Sequence, residues 1–104
     1  MSEKWFDAVA LDALPEDDVS AVAVAGLDLA FIKVGGDVFA TANICTHGHA
    51  RLCDGFFEDF EIECPLHQGR FDVRNGKAMC APLTEGLRTF PIKIDNGRVF
   101  VAID

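Results

Sequence analysis

Two short stretches decide the fold of this chain: Cys45-Thr46-His47 and Cys64-Pro65-Leu66-His67, with sixteen residues between them. Each stretch carries one thiol and one imidazole, so the two loops together offer two cysteines and two histidines. Thiolate and imidazole groups are both good ligands for zinc and for iron. The pattern therefore predicts one metal centre held between two loops.

Two kinds of centre use this set of ligands. Structural zinc modules pair like with like, as Cys-x2–4-Cys followed by His-x3–5-His. A Rieske [2Fe-2S] cluster has two histidines in place of two cysteines on one iron. Each loop of this chain pairs unlike ligands. The spacing therefore favours one Rieske-type [2Fe-2S] cluster, and a structural zinc-binding module is the weaker alternative.

Three stretches carry a family resemblance: Cys45-Thr46-His47-Gly48, Ile62-Glu63-Cys64-Pro65-Leu66-His67-Gln68-Gly69-Arg70-Phe71-Asp72 and Gly76-Lys77-Ala78-Met79-Cys80-Ala81-Pro82. They resemble the soluble Rieske-type ferredoxins of bacterial aromatic ring-hydroxylating dioxygenase systems. The third stretch is similar to the naphthalene-type branch of that family. The resemblance runs from about Trp5 to the C-terminus.

The resemblance implies a role for each ligand. Cys45 and Cys64 would hold the buried iron, and His47 and His67 would hold the outer iron through Nδ1. Pro82 would lie in a loop that covers the third side of the cluster. His49 is also close in sequence, but the family spacing selects His47, which leaves His49 as a partly exposed neighbour.

The resemblance also implies an electron carrier and not an enzyme. The protein would pass single electrons from a flavin-containing NAD(P)H reductase to the terminal Rieske oxygenase of a naphthalene-type system. A biphenyl-, carbazole- or salicylate-hydroxylating oxygenase is the alternative partner. Oxygen activation at non-haem iron needs two histidines and a carboxylate. Only His49 remains once the cluster is ligated, so we predict no catalytic residue.

Four positions bear on the reduction potential. In respiratory Rieske proteins an extra cysteine in each loop forms a disulfide, and serine and tyrosine hydroxyls donate to sulfur. The matching positions here are Ala50 and Leu66 for the disulfide, and Gly69 and Phe71 for the hydroxyls. Hydrogen bonds to sulfur stabilise the reduced cluster. We therefore expect a potential near the low end of the Rieske range, about −150 mV.

Size and charge limit the other possibilities. The chain has 104 residues, which suits one domain over residues 1–104, with a cluster-binding subdomain at about 43–83. Its net charge of −8 argues against nucleic acid and anionic membranes as partners. It has neither an apolar run of roughly 20 residues nor a signal-like N-terminus. We expect a cytoplasmic monomer.

The distribution of apolar residues and turn signals predicts an all-β fold. Short strands are separated by Ala25-Gly26, Gly35-Gly36 and Asn96-Gly97, of which the last is typical of a type I′ hairpin. The expected architecture is an antiparallel β-sandwich or barrel, the Rieske fold, with a small inserted cluster-binding subdomain. We expect strands at residues 5–10, 19–24, 27–34, 38–41, 56–57, 61–63, 88–94 and 99–103.

Three further groups of residues have predicted roles outside the set of four ligands. Cys53 and Cys80 are predicted to be small buried hydrophobic residues, and the alternative for Cys80, close to Pro82, is a thiol that lines the cluster environment. Five phenylalanines are predicted to belong to the core: Phe56, Phe57, Phe60, Phe71 and Phe90. Five acidic residues between the ligand loops form either a docking surface or a solvated hairpin edge: Asp54, Glu58, Asp59, Glu61 and Glu63.

Overall fold

The computed structural model describes residues 4–46, 50–66, 69–79 and 85–103. It contains ten strands and, within these residues, two short 3-10 turns at Leu11–Ala13 and Leu52–Asp54. The strands are Lys4–Ala10 (β1), Asp18–Val24 (β2), Leu27–Val34 (β3), Asp37–Ala42 (β4), Phe56–Glu58 (β5), Glu61–Glu63 (β6), Arg70–Asp72 (β7), Thr89–Phe90 (β8), Ile92–Asp95 (β9) and Arg98–Ile103 (β10).

The strands form three antiparallel sheets. Their orders are β1-β10-β9, β2-β3-β4-β8 and β5-β6-β7. The first two sheets form the framework. The strands of the third sheet are inserted between β4 and β8 in the sequence. The predicted all-β antiparallel fold is confirmed. None of the helices in the described residues is long and apolar enough to cross a membrane.

Strand β3 lies between two hydrophobic cores and contributes side chains to both. Leu29 and Phe31 face the first core, which lies between the two framework sheets. Ala30 and Ile32 face the second core, which lies under the third sheet. All four side chains are buried. Successive side chains of a strand point to opposite faces, so a continuous apolar run is what a strand buried on both sides requires.

The turns formed as the sequence predicts in two places. Ala25 and Gly26 connect β2 to β3 with φ of 52° and 81°, and Asn96 and Gly97 connect β9 to β10 with φ of 50° and 74°. Two consecutive positive φ values are the mark of a type I′ turn, whose twist matches that of the flanking strands. These turns fix the register of both hairpins.

Two expectations about the strands were wrong, while the bounds of the other strands agree to within one residue. The predicted strand at 88–94 is two strands, β8 and β9, separated by Pro91. Proline has no N–H to donate to a sheet, so the chain changes partners there, from β4 to β10. Strand β7 was not predicted, because three residues next to a ligand motif give too short a pattern to detect.

Candidate metal centre

The first ligand loop is a hairpin that starts at Cys45. Ile44 forms an isolated antiparallel bridge with Arg51, and the Cys45 N–H donates to the carbonyl oxygen of Ala50 at 3.0 Å. This bond closes a loop of four residues, 46–49. The Cys45 side chain is 2% exposed.

The second ligand loop has the same construction. Glu63 pairs with Arg70 between β6 and β7, and the Cys64 N–H donates to the carbonyl oxygen of Gly69 at 2.8 Å. Four residues, 65–68, again lie inside the closure. The Cys64 side chain is fully buried.

Each cysteine therefore occupies the same place in its hairpin, directly after the last paired residue. Both cysteines belong to the second hydrophobic core, so the fold brings them together from positions 19 residues apart. Two thiols at the base of adjacent hairpins, screened from water, fit one iron of a mixed-ligand cluster. His47 and His67, predicted for the other iron, lie outside the described residues, as do His49, Cys80 and Pro82.

Asn43 supports the first hairpin from below, and sequence reasoning missed it. Its side chain is completely buried and has a partner for both polar atoms. Its Nδ2 donates to Asp28 Oδ1 at 3.1 Å and to Cys53 Sγ at 3.3 Å, and its Oδ1 accepts from the Cys53 N–H at 2.9 Å. Its main chain donates to the Asp28 carbonyl and accepts from Leu52. Asn43 thus fastens the hairpin to β3.

An ion pair extends this network to the surface. Arg51 Nε lies 3.0 Å from Asp28 Oδ2, and Arg51 Nη2 lies 3.2 Å from Asp28 Oδ1. The hydrogen bond from Arg51 lowers the pKa of Asp28, assisted by the bond from Asn43 and opposed by burial. The carboxylate therefore stays ionised, which keeps both of its partners bound.

Cys53 differs from its prediction. It is only half-buried, and it takes part in hydrogen bonds with Asn43. The 3-10 turn at Leu52–Asp54 explains the difference, because it directs Leu52 into the second core and leaves Cys53 beside the polar network.

The second hairpin is supported by a sheet. Ile62 and Phe71 form a cross-strand pair on the inner face of the third sheet, and both are fully buried in the second core. At the end of β7 the carboxylate of Asp72 accepts three hydrogen bonds from Arg74 at 2.9–3.0 Å. The side-chain bond from Arg74 is the main cause of the lowered pKa of Asp72.

The outer face of the third sheet carries acidic residues. Glu58 lies opposite Glu61, a like-charge pair that costs stability. With Asp59, Glu63, Phe56 and Arg70 they line a surface groove of about 250 Å³. The two interpretations of these acidic residues, a docking surface and a solvated hairpin edge, both stay predictions.

Phe56 was wrongly predicted to be core: it is 61% exposed. Alternation along β5 explains this, because Phe57 pairs with Ile62 on the inner face and Phe56 therefore points outward. The remaining four predicted core phenylalanines pack into or against one of the two cores.

Comparison with known proteins identifies the class. The model of the Rieske [2Fe-2S] domain matches residues 4–91. The chain therefore belongs to the Rieske [2Fe-2S] family. The prediction of one Rieske-type [2Fe-2S] cluster is confirmed, and the zinc alternative is set aside.

Relatives narrow the class further. The chain is 57% identical over 101 residues to the ferredoxin component of a naphthalene 1,2-dioxygenase system from Pseudomonas aeruginosa, covering 97% of each chain. It is 54% identical over 104 residues to the ferredoxin component of the naphthalene 1,2-dioxygenase/salicylate 5-hydroxylase systems from Ralstonia sp., covering 100% of each. Within the family, the predicted resemblance to ferredoxin components of aromatic dioxygenase systems, electron carriers and not enzymes, is confirmed.

A solved structure shows the same fold. The complex of reduced oxygenase and oxidized ferredoxin in carbazole 1,9a-dioxygenase contains a chain that superposes with a TM-score of 0.88 and 34% identity, covering 94% of this chain and 92% of that one.

Proposed function

We propose that this protein is a one-electron shuttle for an aromatic ring-hydroxylating dioxygenase of the naphthalene type. The observation that carries the proposal is the pair of matched hairpins, which places Cys45 and Cys64 in one water-excluded core. The identities of 54–57% to ferredoxin components of naphthalene systems support this choice of system. An oxygenase of the biphenyl, carbazole or salicylate type is the alternative.

We assign Cys45 and Cys64 to one iron and His47 and His67 to the other. A bound cluster would supply a site for one electron. The cysteines would hold it at the base of the hairpins, where burial excludes water. Their N–H groups are committed to closing the hairpins, which fixes the direction of each Cα–Cβ bond. The subdomain at about 43–83 supplies these hairpins, within a single domain that we expect to be a monomer.

The partners follow from the two electron-transfer steps. The acceptor is a terminal oxygenase, and a relative of this fold is found in a complex with one. The donor that the resemblance to these ferredoxin components implies is a flavin-containing NAD(P)H reductase, in which a flavin can accept a hydride and pass on single electrons. NAD(P)H is a cytoplasmic reductant, so we place the protein in the cytoplasm.

Residues beside the second loop support a low reduction potential. Gly69 has no side chain to donate a hydrogen bond, and the Phe71 side chain is fully buried in the second core. Neither position can supply a hydroxyl to sulfur. A potentiometric titration should give about −150 mV, and a value near +300 mV, at the other end of the Rieske range, would contradict this account.

Electron paramagnetic resonance of the dithionite-reduced protein tests the ligand assignment. A rhombic signal of low average g is expected for wild type, and His47→Ala and His67→Ala should both abolish it. His49→Ala is the matched control, because it removes an imidazole two residues from His47 and should leave the signal unchanged. An unchanged signal in either ligand variant, or its loss in His49→Ala, would refute the assignment.

Reconstitution tests the partner. The purified protein should restore product formation when it is added to a naphthalene-type oxygenase and its reductase. Faster turnover with a biphenyl-, carbazole- or salicylate-type oxygenase would favour the alternative.

A further inference from the structure

Thr46 makes a side-chain contact that the ligand assignment does not use. It follows Cys45 and precedes His47, so it lies between two proposed ligands of one loop. Its hydroxyl donates to the carbonyl oxygen of Glu85 at 2.8 Å, across 39 residues of sequence. This bond connects the first ligand loop to a third part of the chain.

The acceptor of this bond lies on a fixed base. An ideal Cβ on Gly86 would come within 2.7 Å of the Gly76 carbonyl oxygen, so the two backbones are in close contact. The Leu87 N–H donates to the same oxygen at 2.7 Å, and the Leu87 side chain is buried in the core that holds both cysteines. Residues 86 and 87, directly after Glu85, are held in this way, so the bond ties Thr46 to a segment that is itself fixed to the core.

The second loop shows why such a restraint is useful. Pro65 follows Cys64, and its ring fixes φ at about −65° at the position that corresponds to Thr46. Thr46 has no such covalent restriction. The two loops therefore limit the same backbone position by different means, a ring in one and a long-range hydrogen bond in the other.

We propose that Thr46 is a positioning residue that holds the first ligand loop in one orientation through its bond to Glu85. This inference rests on the ligand assignment proposed above. Thr46 contributes no ligand atom: it restrains the peptide between Cys45 and His47, and so narrows the range of ligand geometries that the loop can adopt.

Two substitutions separate the hydroxyl from the shape of the side chain. Thr46→Val keeps the volume and β-branching but removes the donor, and Thr46→Ser keeps the donor without the methyl group. Both proteins are purified with the cluster bound. The loss of visible absorbance in excess chelator measures the rate of cluster release. The electron paramagnetic resonance spectrum of the reduced protein measures the width of the line at each g-value.

The valine variant should release the cluster about two- to tenfold faster than wild type, as expected for one lost hydrogen bond. Its resonance lines should broaden, because several loop geometries are populated. The serine variant should match wild type in both measurements. Wild-type behaviour in Thr46→Val, or a defect in Thr46→Ser equal to that in Thr46→Val, would overturn the inference. A wild type without the rhombic signal would instead refute the proposed function, so the two failures are distinguishable.

Discussion

The two ligand hairpins of this protein have the same closure and different supports. In each, the cysteine N–H donates to the carbonyl oxygen five residues later. The first hairpin, however, is flanked by a single isolated bridge and rests on a polar network centred on Asn43. The second continues into β6 and β7 and rests on the apolar pair of Ile62 and Phe71.

The difference shows that one hairpin closure can be supported by two kinds of interaction. An apolar pair under a sheet tolerates small changes in shape, because repacking recovers part of the lost burial. A buried polar network is less tolerant, because each group left without a partner carries its own desolvation cost. The first hairpin should therefore be more sensitive than the second to substitutions in its support.

The largest expected effect comes from the end of the β5–β6 pairing, next to the second hairpin. Gly55 lies between the Leu52–Asp54 turn and β5, and an ideal Cβ there would be 1.9 Å from the carbonyl oxygen of Glu63, just before Cys64. Both groups belong to the backbone, so Gly55→Ala must push the start of β5 away from the end of β6, at the base of the second hairpin. We expect a loss of about 3 kcal/mol in the free energy of unfolding, measured by urea denaturation of the cluster-loaded protein.

Gly36→Ala is the matched control for that substitution. No heavy atom lies within 4 Å of an ideal Cβ at Gly36, which is exposed in a turn. Its unfolding free energy should stay within about 0.5 kcal/mol of wild type. Equal stability of the two alanine variants would show that the backbones of Gly55 and Glu63 are not in contact.

The next effect compares the two supports directly. Asn43 and Ile62 each lie two residues before a cysteine that we propose as a ligand. Asn43→Ala removes three side-chain hydrogen bonds and leaves the Cys53 N–H without its acceptor, so it should cost about 2–3 kcal/mol. Ile62→Val removes one buried methyl group and should cost about 1 kcal/mol. Urea denaturation of both variants measures the difference, and a larger loss in Ile62→Val would reverse the comparison.

The smallest effect concerns acid. Asp28 supports the first hairpin and Asp72 follows the second, and an arginine lowers the pKa of each below the ordinary value of 3.8. A lowered pKa contributes stability that is present above the unfolded value and lost as pH falls through the folded one. Stability should therefore fall as the pH drops below about 4, on account of both groups.

Exposure predicts which aspartate matters more. The Asp72 side chain is 10% exposed and the Asp28 side chain is 37% exposed. Solvent therefore screens the ion pair of Asp28 with Arg51 more strongly than that of Asp72 with Arg74. Thermal unfolding at a series of pH values gives the free energy of unfolding as a function of pH. The loss of that free energy in acid should be smaller by about 1 kcal/mol in Asp72→Asn than in wild type, and the change should be less in Asp28→Asn. A larger change in Asp28→Asn would place the more acid-sensitive support at the first hairpin.

Much of the fold was predictable because its signals are local. The Asn96-Gly97 turn needs only two residues that tolerate positive φ, and the apolar run of β3 needs only its own composition. The ligand motifs are equally local, since each pairs a cysteine with a histidine two or three residues later. The prediction for Phe56 was wrong because its burial is not a local property: which face of β5 is buried depends on where β6 lies.

By itself the sequence determined the class of centre and the all-β framework, and it predicted the order of the ligands, because these depend on local motifs and turns. Only the tertiary structure decided what holds the ligand loops in place. Asn43 meets Asp28 from 15 residues away, and Thr46 meets Glu85 from 39. Such bonds have no sequence signature, because a buried polar side chain finds its partner only after the folding of both segments has brought them together.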